Sequence, residues 1–196
     1  MAGKLNIKLR RGSTYRRKFR WEVEPFVYKA ITGVVQTAPL RLTVPGHGLL
    51  PNQTFVIQAV LGMTELNDTG KESDWHPATV IDSNTIELNR VNASGFKAYV
   101  SGGNIKYRTV VDPTGYTVAM QIRTKVDGEA LLSLTSAEGG FVIDGPDKSI
   151  EIIIPSDAVS TWKKGVYDIE LTNIATSEVV DFLAGDVTVS FDLTQN

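Results

Sequence analysis

His47 and His76 are the only histidines, and with no cysteine present no other side chain ordinarily titrates near neutrality. His47 lies between Gly46 and Gly48, after Pro45. A ring there could serve as a loop base or ligand. The glycines and proline favour the plainer role, a turn histidine bonding local backbone. His76, in Asp74-Trp75-His76-Pro77, could form a site with Asp74, and Trp75 could stack a sugar. The same tryptophan could simply cover the core of a small domain. The separation of the two histidines matches no zinc-ligand spacing.

Glu138 with Asp144 or Asp147 is the carboxylate grouping that could do glycosidase chemistry, but these acids read as hairpin-turn residues. Asp144-Gly145-Pro146-Asp147 offers too few ligands for calcium. Ser13, in Arg11-Gly12-Ser13-Thr14, lacks a nucleophile elbow. Gly102-Gly103 and Gly139-Gly140 precede neither a helix nor a lysine-serine pair, so they cradle no phosphate. The absence of cysteine excludes disulfides, thiolate ligands and thioester chemistry. No catalytic residue, cofactor or metal is expected.

Charge is more informative. The net charge of −2 hides a strong asymmetry. Residues 1–20 carry Lys4, Lys8, Arg10, Arg11, Arg16, Arg17, Lys18 and Arg20 and no acid, whereas residues 112–196 hold 14 acids and 5 bases. A basic strip can bind nucleic acid. No aromatic-and-glycine RNA motif accompanies this one, so pairing with acids of the same chain or of a neighbour is the preferred reading. Arg16, Lys18 and Arg20 are candidate interface cations, and Asp181, Asp186 and Asp192 candidate interface acids.

These residues must be positioned by strands. Apolar residues are 42% and charged residues 21% of the 196, a globular composition. No run approaches the roughly 18 apolar residues of a membrane helix. The basic N-terminus lacks the apolar stretch of a signal peptide. Period-two alternation recurs between turn signals. Tyr15, Arg17, Phe19, Trp21 and Val23 share one face, and Arg16, Lys18, Arg20 and Glu22 the other. Similar runs are expected near 33–36, 40–44, 53–60, 78–81, 85–89, 98–100, 104–107, 116–125, 130–135, 141–143, 149–154, 165–173 and 179–193. Gly102-Gly103 reads as a break. Residues 155–162 read as one short helical turn with Ser156 as N-cap. In Val166–Leu171, Val166, Ile169 and Leu171 are apolar and Asp168 and Glu170 polar, and Tyr167 reads as a corner-anchoring tyrosine.

The class is therefore all-β. Residues 31–107 form a self-contained set of short strands, a small β-barrel. The basic N-terminal strand has no partner inside it. Residues 1–30 are therefore assigned with 108–196 to one immunoglobulin-like β-sandwich, interrupted by the barrel as an insertion.

Two sets of segments resemble known modules. Ile7–Arg17, Tyr116–Arg123, Leu131–Thr135, Gly165–Leu171 and Gly185–Ser190 are similar to small virion proteins of tailed phages and prophages, encoded near tail or baseplate genes. Gly46-His47-Gly48-Leu49, Gly62–Asn67, Ser83–Leu88, Gly95–Tyr99 and Ser101–Gly103 resemble a small barrel repeated in phage tail proteins. That barrel is named after the first catalytic cysteine half-domain of ubiquitin-activating enzymes. Its activity does not transfer, because this chain has no cysteine.

The resemblance implies a non-enzymatic virion protein of the tail, neck or baseplate, or a head decoration. It would join components or hold fibres in a symmetric homo-oligomeric assembly, without nucleic acid or membrane partners. A carbohydrate-binding module for host-surface recognition is the alternative, with Trp75, Phe96 and Tyr99 as glycan contacts. A depolymerase is a third reading and would need a cleft with paired acids.

Overall fold

The computed structural model describes residues 3–71, 74–159 and 161–190. The protein is all-β and divides into two compact units, Met1–Trp21 with Val110–Asn196, and Glu22–Thr109. The second unit interrupts the first. Its first junction falls between Trp21 and Glu22 rather than after residue 30, and its second lies after Thr109 rather than residue 107.

In the first unit a six-stranded sheet contains β1 (Gly3–Lys4), β2 (Ile7–Arg10), β12 (Tyr116–Arg123), β13 (Ala130–Thr135), β16 (Lys164–Asn173) and β17 (Val179–Ser190). Its order is β1-β17-β16-β12-β13, with β2 also on β17. β1 and β2 run parallel to β17, whereas the pairs β17-β16, β16-β12 and β12-β13 are antiparallel. A three-stranded sheet, ordered β14-β15-β3, consists of β3 (Tyr15–Arg20), β14 (Phe141–Asp144) and β15 (Ser149–Ile154). Alternation decides what each strand buries. Ile7 and Leu9 of β2 face inward, as do Val118, Met120 and Ile122 of β12 and Ile150, Ile152 and Ile154 of β15. Each such side chain contributes about 1.5–3 kcal/mol by leaving water. Tyr15, Phe19 and Trp21 pack against the same core, and Trp21 and Phe19 each meet Phe182 edge-on at 6.5 Å.

The N-terminal strands are tied down by specific contacts. Leu5 N–H donates to the Ala184 carbonyl at 3.0 Å, and Asp186 N–H donates to Asn6 Oδ1 at 3.1 Å. The Tyr167 hydroxyl donates to the Leu5 carbonyl at 2.8 Å. Burial pushes the Tyr167 phenol up to about 12, so it remains a donor at physiological pH. Gly185 lies directly beneath this crossing, and a Cβ there would fall on the Leu5 carbonyl.

The second unit has two four-stranded sheets around its own core of Leu40, Leu42, Phe55, Ile57, Ile86, Leu88 and Ile105, among others. The first is β5-β6-β10-β9, made of β5 (Gly33–Val35), β6 (Leu40–Thr43), β9 (Thr79–Asp82) and β10 (Thr85–Leu88). The second is β4-β11-β7-β8, made of β4 (Glu22–Ala30), β7 (Thr54–Leu61), β8 (His76–Pro77) and β11 (Ser101–Val110). The two sheets share this core and run into each other at both edges: after β4, Ile31 N–H donates to the Gly103 carbonyl and Thr32 N–H to the Thr43 carbonyl, and after β8, Ala78 N–H donates to the Gln53 carbonyl, in keeping with the expected small barrel. β4 explains the shifted junction: it pairs with β11, and its Val27 packs on the second core.

Two local expectations are corrected. Gly102-Gly103 lies inside β11 as an irregularity opposite Ala59: Gly102 pairs with Val60 and Asn104 with Gln58, and all three residues have positive φ. Residues 155–159 make a turn, closed by Ala158 N–H to the Pro155 carbonyl at 3.2 Å, with no helix assigned among the described residues there; Ser160, within the expected helical turn, lies outside the described residues. No helix among the described residues is long and apolar enough to cross a membrane.

Candidate functional site

Both histidines are held by hydrogen bonds within the second unit. His47 is 1% exposed, accepts from Leu49 N–H at Nδ1 (3.0 Å) and donates from Nε2 to the Asp82 carbonyl (2.8 Å). Both ring nitrogens are therefore used by backbone. His76 meets Asp68 at 3.1 Å instead of Asp74, whose carboxylate accepts from Thr69. Glu138 accepts from Thr135, while Asp144 and Asp147 face Lys18. The three acids do not converge as a catalytic pair. Among the described residues no group of three or more His, Asp or Glu could hold a metal ion.

The basic face of β3 meets acids of its own chain. Antiparallel pairing sets Ser149 opposite Arg20, Glu151 opposite Lys18 and Ile153 opposite Arg16. Arg16 reaches Glu151 at 3.3 Å, and Lys18 reaches Asp147 at 3.5 Å and Asp144 at 3.8 Å. Arg20, only 14% exposed, pairs with Asp147 and donates to its carbonyl at 3.1 Å. These candidate interface cations thus have intrachain partners.

Burial raises the cost of ionising Asp147. The hydrogen bond from Arg20, with the charges of Arg20 and Lys18, outweighs it and holds the carboxyl below its usual range. A depressed folded pKa gives stability that is complete above the unfolded value of 3.8 and is lost as pH falls through the folded value. Arg20→Met should therefore cost about 1.5–3 kcal/mol at neutral pH. Its deficit should shrink as Asp147 protonates in wild type, and urea melts between about pH 7 and pH 2 read that convergence. A deficit unchanged across that range would contradict the assignment.

The outward face of the six-stranded sheet differs. Register and alternation place Lys8 and Lys164 beside Thr188 at one end. Asp186 is opposite Val166, Asp168 opposite Ala184, and Glu170 opposite Asp181 at the other end. All six charged residues are exposed, and none makes an ion pair among the described residues. The face thus grades from basic to acidic along the strands. It is also hollowed. A shallow depression of about 560 Å³ is lined by Lys4, Gln121, Arg123, Asp168 and Asp186, among others. A second, of about 450 Å³, lies by Lys8, Lys164 and Thr188, and a third, of about 320 Å³, by Asp168, Glu170 and Ser133. Asp181 and Asp186 belong to this face. Asp192 lies outside the described residues.

The aromatic candidates do not converge. Phe96 and Tyr99 pack on the second unit's core, and the Tyr99 hydroxyl donates to the Gly102 carbonyl at 3.0 Å, with the Ile31 carbonyl at 3.3 Å. Trp75 instead meets Phe26 at 6.4 Å, and the Arg108 guanidinium carbon lies 5.2 Å from the Trp75 ring centre. The sequence pattern does not single out Phe26, Tyr28, Lys106 or Arg108, because Pro25 interrupts the alternation of β4 and only pairing with β11 brings these residues together. The expected interface residues also leave out Lys8, Lys164, Asp168 and Glu170, although the alternation of β2 and β16 already points them outward.

Comparison with protein-family models and with curated proteins finds no match to this chain.

Proposed function

We propose that this chain is a non-enzymatic structural protein of a tailed-phage particle that joins neighbouring components through protein contacts. The observation that supports it best is the graded outer face of the six-stranded sheet. Lys8 and Lys164 at one end and Asp168, Glu170 and Asp181 at the other carry no intrachain ion pairs among the described residues. A face of this kind is complementary to a second copy displaced along the strands, basic end on acidic end. Such a heterologous contact builds rings when its rotation closes. The sequence resemblance to tail and baseplate modules supplies the biological setting. A rigid sheet interrupted by a second unit suits a connector that presents two surfaces.

Light scattering of the purified chain at 0.05 M and 0.5 M salt tests the contact. Oligomers at low salt should dissociate at high salt, because screening acts over a Debye length of about 4–14 Å across that range. Asp168→Asn/Glu170→Gln/Asp181→Asn should abolish the low-salt oligomer without lowering the melting temperature. A chain monomeric at both salts, or an oligomer indifferent to salt and to the triple substitution, would contradict the self-docking face.

A further inference from the structure

The outward face of the β4-β11-β7-β8 sheet carries a layer that neither folding nor the docking face uses. Val27 points to the core, so alternation turns Phe26 and Tyr28 outward. Ile105 and Tyr107 are likewise buried in the core, which turns Lys106 and Arg108 to the same outward face. Lys106 Nζ stands 4.0 Å from the Phe26 ring centre and 5.9 Å from that of Tyr28. The Arg108 guanidinium carbon lies 5.4 Å from Phe26 and 5.2 Å from Trp75.

Cation–π contact fixes the two head groups while leaving their N–H donors unspent. Neither cation has a carboxylate partner among the described residues, and Glu24, at the start of the same face of β4, pairs with neither. Tyr28 is 57% exposed, so an aromatic ring is offered beside two available cations. An unpaired pair of cations costs nothing when solvated, but nothing in the unit's own packing requires them over three aromatic rings.

We infer that this layer is a binding site for an acidic glycan, one whose pyranose rings carry carboxylates. The weakly positive axial hydrogens of a pyranose stack on the negative face of Tyr28. A uronate carboxylate then accepts from Arg108 and Lys106, the charge-assisted pairing that Arg forms best. A single-stranded nucleic acid fits less well. Its phosphates lie on a backbone apart from the stacking bases and call for a basic groove that runs beside the aromatic rings, whereas here the cations stand over the rings. Among the described residues Lys106 and Arg108 are the cations set over these rings, and the second unit as a whole carries eight acids against seven bases. The site is separate from the graded face of the first unit, so its failure leaves that reading standing.

Titration calorimetry of the full chain with tetragalacturonate, a hyaluronan tetrasaccharide, neutral maltotetraose and the oligonucleotide dT10 tests the inference. At least one acidic tetrasaccharide should bind and maltotetraose should not. Arg108→Gln and Lys106→Gln should each weaken binding roughly 10–100-fold. Tyr28→Ala, at an exposed position, should weaken it while leaving the melting temperature within about 2 °C of wild type. Failure of both acidic tetrasaccharides to bind, binding unchanged in Arg108→Gln and Lys106→Gln, or tighter binding of dT10 would each overturn it.

Discussion

Gly185→Ala should release the N-terminal strands from β17. The added methyl would fall on the Leu5 carbonyl, the atom that accepts the Tyr167 hydroxyl. The clash is with backbone, which cannot rotate away. The segment must therefore lift, and lifting it breaks the Leu5 to Ala184 bond and strains the parallel pairing of β2 with β17. Ile7 and Leu9 would leave the core with it. Overpacking alone costs about 1–3 kcal/mol, and partial exposure of two apolar side chains adds to it. A loss of about 4 kcal/mol would lower the melting temperature of the first unit by roughly 15–20 °C. Trypsin should then cut after Arg10 or Arg11 in the folded variant and leave wild type intact. Gly115→Ala, where a methyl meets nothing within 4 Å, is the control and should change neither. Wild-type-like melting and protease resistance in Gly185→Ala would show that the crossing at Leu5 is not fixed as described.

Asp68→Ala should be the most damaging polar substitution in the second unit. β8 is only two residues long and pairs with Thr54 and Phe55. Beyond it, Asp68 takes the place of the missing strand: its Oδ2 accepts from Ile57 N–H at 2.6 Å, and its own N–H donates to the Ile57 carbonyl at 2.9 Å. Oδ1 holds His76, which packs on Phe55 at 5.9 Å between ring centres. The carboxylate is 10% exposed and Ile57 fully buried. Alanine leaves the Ile57 amide buried without its acceptor, which costs about 3 kcal/mol. Asp68→Asn keeps an acceptor for that amide and should recover at least half of the loss. Urea melts followed by Trp75 fluorescence read both variants, and equal stabilities for the two would contradict this role.

Much of the architecture was legible because alternation is a local signal. Ile7 and Leu9, Val118 through Ile122, and Ile150 through Ile154 bury the faces that their period-two pattern indicates. The junction at Trp21 was not legible, because the alternation from Tyr15 runs on through Val23 without a turn residue. Pro25 made β4 look like a connection. Its place at the end of the sheet order, where one side of the strand lacks a partner, is where a proline is tolerated. The Gly102-Gly103 pair looked like a stop because glycines punctuate loops and bulges alike.

The candidate surfaces depended on non-local placement. Composition showed that the basic N-terminus had acids to meet, but only the β15-β3 register identified Glu151 and Asp147 as partners. That leaves Asp181 and Asp186 beside Asp168 and Glu170, with Lys8 and Lys164 as the opposing charges. Trp75, Phe96 and Tyr99 are grouped in sequence as exposed aromatics of the inserted unit, whereas β11 brings Trp75 to Phe26 through Arg108.

Particle composition tests the central proposal most directly. Particles released by an induced culture of the encoding strain would be purified on a density gradient and analysed by quantitative mass spectrometry. The account predicts that the chain sediments with the particles at a fixed ratio to their other proteins and stays with them through repeated banding. A chain found only in the soluble fractions, with banded particles free of it, would contradict a structural role in the virion.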